Sequence, residues 1–226
     1  MDEAMLREQR MQMVSEQIYR RGLRDPRLLD VFRTVPRHLF VPPELQLRAY
    51  EDGPLPIGHD QTISQPFIVA IMTSLLQLEG DEKVLEVGTG SGYQAAILAS
   101  LAGEIHTVEW HPGLAEEAGR RLERLGLHNV HVHQGDGSLG WPAYAPYAAI
   151  LVAAAAPAPP RPLLEQLAAG GRLVIPVGAR GNQQLQRWVR RPNYYEAEDV
   201  IPVSFVPLLG QHGWSGGEWM QPDYYI

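Results

Sequence analysis

Lys83–Tyr93, KVLEVGTGSGY, opens on branched apolar residues, Val84, Leu85 and Val87, and breaks abruptly into Gly88, Gly90 and Gly92. A short run of that kind suits a buried parallel strand. The following Tyr93–Ser100, YQAAILAS, reads as a helix, with Thr89 or Ser91 available to cap its free amides. Strand, glycine turn and helix together are the opening of a nucleotide-binding βαβ unit.

The dinucleotide fingerprint G-x-G-x-x-G requires a third glycine at position 93, where this chain has Tyr93. The spacing here is G-x-G-x-G. Glu86 also precedes the first glycine by two residues, so a carboxylate approaches the place a pyrophosphate would occupy, and like charges repel. S-adenosyl-L-methionine has no phosphate and carries a sulfonium and an ammonium. A turn built from Glu86, Gly88, Thr89, Gly90 and Gly92 therefore suits that ligand better than NAD, although glycine turns are also common as purely structural features.

Downstream, Glu109 ends the next apolar run, 21 residues after Gly88, the place of an acid that accepts ribose hydroxyls in such folds. An acid there also serves as a plain strand end or helix cap; together with the glycine turn, the cofactor role is favoured. Asp136 and Gly137 follow the third run, and parallel strands open on one edge, so this turn reaches the same crevice and an adenine edge. An Asp-Gly pair is equally a common turn. His131 and His133 alternate on one strand face without a third ligand at metal spacing, which favours an exposed edge face over a metal pair. The arginine pairs at 20–21, 120–121 and 190–191 read as solvated charges, and Tyr93 and Trp110 as core residues before cofactor stackers.

Upstream, residues 3–21 read as a helix with an apolar stripe ended by Gly22, and Asp25-Pro26 as the start of a second. Residues 1–50 thus form a helical extension, and the proline- and glycine-rich residues 51–66 a loop. Pro66 opens a helix whose apolar face runs from Phe67 to Leu76, so Ser64 falls at a helix start, a place for a cap or for holding an anion. From residue 67 to 210 strands are expected at 83–88, 104–109, 129–134, 148–153 and 171–177, with helices at 91–101, 112–125 and 160–168 between them, Gly170-Gly171 marking the stop of the last helix. Segments 183–190 and 198–208 complete a seven-stranded, mostly parallel doubly wound sheet with an antiparallel edge. Residues 211–226 form a tail that is either packed or poorly ordered. The whole chain, 1–226, is expected to be a single domain.

A formal net charge of −7 disfavours a nucleic-acid partner, and the absence of cysteine excludes disulfides and thiolate chemistry. The charged N-terminus lacks a signal-peptide core, and no apolar run reaches roughly 18 residues. A cytoplasmic protein with no membrane partner, and a monomer, is the simplest expectation.

Five blocks, Asp60–Pro66 (DQTISQP), Leu85–Tyr93 (LEVGTGSGY), Gly135–Gly137 (GDG), Ala168–Gly178 (AAGGRLVIPVG) and Val203–Leu208 (VSFVPL), resemble the protein-L-isoaspartate O-methyltransferases. The likeness runs from about residue 9 to 214, and the QTIS-Q-P block is its most particular part. It implies a Rossmann-like methyltransferase fold and transfer of a methyl group from S-adenosyl-L-methionine to isoaspartyl residues of proteins and peptides. It further implies that Ser64 is the active-site serine, that Gln61, Thr62 and Ile63 wall the site, and that Gly88, Gly90, Glu109, Asp136 and Gly137 contact the cofactor. Two positions depart from the family pattern: Ala148 stands for its usual aspartate, and Leu209 for a frequent threonine. Rival expectations are a methyltransferase of small molecules or RNA, or a cofactor-binding protein without catalysis.

Overall fold

The computed structural model describes residues 3–214 and residue 219; part of the expected tail, residues 215–218 and 220–226, lies outside them. Helix α1 spans Glu3–Met13 and passes into a wider π turn at Val14–Ile18 and a tight turn at Tyr19–Arg21, rather than running as one helix to residue 21. Gly22, at φ 99°, ends it as the sequence predicts. Helix α2, Pro26–Thr34, starts as expected, with Asp25 accepting from the Arg27 amide at 2.9 Å.

Residues 51–66 are not simply a loop. They contain a hairpin of β1, Leu55–Gly58, and β2, Gln61–Ile63. Helix α3, Pro66–Leu76, follows. The alternation then proceeds through β3 (Lys83–Val87), α4 (Tyr93–Ala99), β4 (Glu104–Glu109), α5 (Pro112–Arg124), β5 (Val130–Gln134), β6 (Tyr147–Val152) and α6 (Arg161–Glu165). It ends in β7 (Leu167–Val177), β8 (Gln183–Arg190) and β9 (Tyr195–Val203).

The seven strands lie in the order β5-β4-β3-β6-β7-β8-β9, parallel from β5 to β7 and antiparallel at β8 and β9. Strand β7 begins earlier than expected. Gly170 and Gly171 do not stop a helix but sit in an irregular stretch of the strand, where Tyr147 pairs with Leu167 and Ala149 with Arg172. The N-terminal helices bury Leu6, Met13, Leu28 and Phe32 in one apolar cluster with Tyr93 and Ile97 of α4. Strand order reverses at β3, whose neighbours are β4 and β6, so the carboxyl ends of these strands flank the crevice where such sheets bind ligands.

Candidate active site

A cleft opens at that point. Its floor is the glycine turn after β3. Gly88, Gly90 and Gly92 have φ of 93°, 51° and 86°, a conformation in which a side chain is strained. Gly92 holds the N-cap position of α4, and Ser91 Oγ accepts from the first helical amide, Tyr93 N, at 3.3 Å, as expected of it, whereas Thr89 does not cap. Thr89 is instead tied across the sheet: its hydroxyl lies 2.6 Å from that of Thr107, which donates to Glu86 Oε2 at 2.5 Å.

Glu86 is fully buried beneath the turn and does not line the cleft. Burial, reinforced by the nearby Glu109 carboxylate, pushes its pKa up to about 8. At neutral pH Glu86 therefore holds its proton, and it does not supply the exposed negative charge expected of it. Its role here is to anchor Thr89 through Thr107.

Glu109, at the end of β4, does reach the cleft wall. Its Oε2 accepts from the Gly90 amide at 2.8 Å and its Oε1 from the His111 amide at 3.0 Å, joining the glycine turn to the start of α5. Gly137 lines the same wall, and a Cβ added there would stand 2.5 Å from Val87 Cγ1, so the close approach requires glycine. Asp136 stays outside the lining. Its carboxylate accepts from Ser138 N at 2.9 Å, Ser138 Oγ at 2.6 Å and Gln211 N at 2.8 Å, so it pins the C-terminal segment rather than offering a free edge.

The facing wall is Gln61, Thr62, Ile63 and Ser64, with Phe205–Leu209 completing it. The latter segment is held by hydrogen bonds from the Ala155 amide to Val206 O, 2.8 Å, and from the Leu208 amide to Ala155 O, 2.7 Å. Ser64 precedes α3 but is not its cap: the N-cap position is Gln65, without a side-chain hydrogen bond. The Ser64 carbonyl accepts from Arg37 Nη2 at 2.7 Å, which fixes the backbone of a residue that lines the cleft.

Several contributors had no sequence signal. Arg37 is fully buried with no repeating pattern around it. Trp110, read from the sequence as core, is instead 45% exposed and lines the cleft; His111 lines it too, directly after Glu109, a position that could have flagged it. Tyr93 is core, as expected, edge-on to Phe40 at 5.4 Å. Arg121 and Arg190 are not free charges; they donate to the carbonyls of Ser91 and Leu167. His133 stacks on Trp141 at 4.3 Å and lies 3.0 Å from His106, in a ladder of rings rather than on an open face. Among the described residues no group of three or more histidine, cysteine or acidic side chains is arranged to hold a metal. Of the two departures, Leu209 lines the cleft and Ala148 lies on β6 away from it.

A family model described as Protein-L-isoaspartate(D-aspartate) O-methyltransferase (PCMT) matches residues 8–213. A protein of Trichlorobacter lovleyi named protein-L-isoaspartate O-methyltransferase is 56% identical over 207 residues, 91% of this chain and 95% of its own. One of the same name from Methanoculleus marisnigri is 52% identical over 210 residues, 93% and 96% of the two chains. Among solved structures, a protein-L-isoaspartate O-methyltransferase aligns with a TM-score of 0.80 at 27% identity, over 91% of this chain and 66% of its own. A Plasmodium falciparum protein solved with S-adenosyl-L-homocysteine shares the fold at a TM-score of 0.77 and 23% identity, over 88% and 98%. With matching sequence blocks on both walls of one cleft, and relatives more than half identical along nearly the whole length, the chain belongs to the protein-L-isoaspartate(D-aspartate) O-methyltransferase family.

Proposed function

We propose that this cleft binds S-adenosyl-L-methionine and that the chain transfers its methyl group to the free α-carboxyl of L-isoaspartyl residues in damaged proteins and peptides. The observation that carries the reading is the meeting of Gln61–Ser64 with the glycine turn and Glu109 across one cleft. The residues present fit the cofactor: Glu109 supplies an acceptor for ribose hydroxyls, and Gly137 keeps the wall flat beside Val87. When bound, the cofactor supplies an activated methyl group on a sulfonium.

Little else is asked of the protein chemically. A carboxylate is ionised at neutral pH, so no general base is needed to make the nucleophile. The work left to the chain is to hold the reacting groups in line and exclude water, and effective molarities of about 10⁵ M or more show what positioning achieves. Ser64 is the positioner: it lines the cleft just before α3, and its hydroxyl holds the incoming carboxylate. Its surroundings contain no G-x-S-x-G elbow, so it is not a nucleophile. The methyl ester then closes to succinimide without further catalysis and hydrolyses partly to normal aspartate.

The proposal extends to residues 1–226 as a single methyltransferase domain acting as a monomer in the cytoplasm, without a nucleic-acid partner. Its support is the charge of −7 and an apolar cluster shared between the N-terminal helices and α4. No helix among the described residues is long and apolar enough to cross a membrane.

The decisive experiment uses labelled S-adenosyl-L-methionine and matched peptides with isoaspartate or aspartate. Base-labile label is expected on the isoaspartyl peptide alone; equal labelling of both, or none, overturns the reading. Ser64→Ala is expected to slow turnover about tenfold, the value of one positioning hydrogen bond, with cofactor affinity retained. Unchanged turnover in the folded variant removes Ser64 from that role. Glu109→Ala is expected to weaken cofactor binding by about 1–3 kcal/mol, the scale of a charge-assisted hydrogen bond. Equal affinity by calorimetry sinks the ribose assignment.

A further inference from the structure

The cleft adjoins a second hollow. Thr62, Ser64, Ala153, Phe205 and Val206 line both, so Ser64 stands at the border between them. No residue of the glycine turn lines the second hollow, nor does Glu109 or Gly137. An isoaspartyl residue that presents its α-carboxyl at Ser64 carries main chain on both sides, while the cofactor takes the side toward the glycine turn. The hollow beyond Ser64 is the space left for a neighbouring residue of that chain.

What lines the hollow sets its chemistry. Beyond the shared residues the wall is made by the half-buried Ile68 and Val203 and the exposed Pro54, Pro202 and Ser204. No charged side chain is in the lining. Gln65 contributes its one side-chain amide, and that group is already engaged, since Nε2 donates to Asp52 Oδ1 at 2.7 Å. Asp52 in turn pairs with Arg21, so the charge held against this wall is a carboxylate whose cation is taken. The wall is also fixed in advance. Gln183, 2% exposed, grips Phe205 by both main-chain groups, accepting from its amide at 2.7 Å and donating to its carbonyl at 3.2 Å. A preformed apolar wall gains from covering an apolar side chain without first having to order itself. A carboxylate in the same place loses water and meets no cation.

Resting on the reading of the cleft as a site of methyl transfer to isoaspartate, we propose that the second hollow is a specificity subsite for the residue flanking isoaspartate. It takes an apolar side chain and disfavours an acidic one. Ile68, Val203 and Phe205 supply the apolar contact, and Ser204 is the exposed position at which the charge preference is set.

The test measures kcat/KM on isoaspartyl peptides in which the residue on each side of isoaspartate is in turn leucine or glutamate. At one of the two flanks the parent is expected to favour leucine about tenfold, the value of covering part of an aliphatic side chain. Ser204→Arg places a cation in the hollow and is expected to raise kcat/KM on the glutamate peptide about fivefold, a gain that shrinks in high salt. Gln12→Arg adds the same charge on an exposed position of α1 outside the hollow, and is expected to leave the leucine-to-glutamate ratio as in the parent. Equal affinity of all three proteins for S-adenosyl-L-homocysteine separates changed specificity from lost folding. A parent ratio within about twofold of unity at both flanks overturns the inference while leaving the methyl-transfer reading intact. So does a Ser204→Arg ratio that is unchanged or matched by Gln12→Arg. A parent that methylates no isoaspartyl peptide, whatever its flanks, overturns both.

Discussion

Arg37→Met is expected to lower stability by about 2–4 kcal/mol and to slow methyl transfer about a hundredfold, with the loss in kcat rather than in cofactor affinity. Arg37 is fully buried. Its Nε donates to the Ala49 carbonyl and its Nη2 to that of Ser64, each at 2.7 Å, and its guanidinium lies 4.9 Å over the Tyr93 ring. Among the described residues no carboxylate is bonded to it. Burial lowers its pKa to about 10, so it remains charged at neutral pH, held by two carbonyl dipoles and an aromatic face. Methionine fills much of the volume but strands both carbonyls, at about 1–3 kcal/mol each, while relief from burying a charge returns part of that loss. The catalytic effect has a separate origin. Arg37 fixes the backbone of Ser64 from behind the cleft, and a displacement of about 1 Å in a positioning group costs about a hundredfold. Arg37→Lys carries a point charge that cannot fork between two carbonyls, and should fall between parent and Arg37→Met. Urea unfolding and initial rates at saturating cofactor measure the two effects. An unchanged midpoint and unchanged turnover in Arg37→Met sink the assignment.

The contrast between Arg37 and Glu109 shows what the chain discloses in one dimension. Glu109 was legible because its place follows from the local rhythm of strand, turn and helix after Gly88, and β3 and β4 pair in the register that rhythm requires. Arg37 follows a proline in a short helical turn, and its acceptors at Ala49 and Ser64 are set only when the N-terminal segment packs against α3. Asp136 illustrates the same limit within a recognised motif: its position was readable, but its bond to the Gln211 amide, 75 residues away, was not. The β1–β2 hairpin escaped notice because Leu55, Ile57 and Ile63 give too short an alternation, and its turn uses His59 and Asp60 where Asn-Gly is the usual signal. At Gly170-Gly171 the ambiguity lay in glycine itself, which serves a helix stop and an irregular strand equally well. Family blocks did recover the two cleft walls, but not what lies behind them.

Glu86→Gln is the variant whose behaviour should depend most on pH. In the folded chain Glu86 keeps its proton up to about pH 8, whereas an unfolded glutamate releases it near pH 4.3. Between those values the folded state binds the extra proton, so stability falls as pH rises, is fully present below about pH 4.3 and is lost through about pH 8. The span corresponds to a loss on the order of 3–5 kcal/mol. Glutamine has no proton to lose and can still accept from Thr107, so the variant should keep the Glu86–Thr107–Thr89 link without that decline. Three histidines act in the opposite sense. Burial lowers the pKa of His38 and His106, and that of His133 to about 4, so their contribution is present above the unfolded value of about 6.5 and lost as pH falls. They are common to both proteins and cancel in the difference. Urea midpoints at pH 5, 7 and 9 should therefore diverge progressively, with the variant the more stable at pH 9; parallel profiles mean that Glu86 is ionised throughout. Cofactor affinity below pH 7 supplies an independent reading of the same charge. A neutral Glu86 exerts no pull on a sulfonium, so the variant and the parent should bind alike there, and a large loss in the variant would return Glu86 to the role of counter-ion.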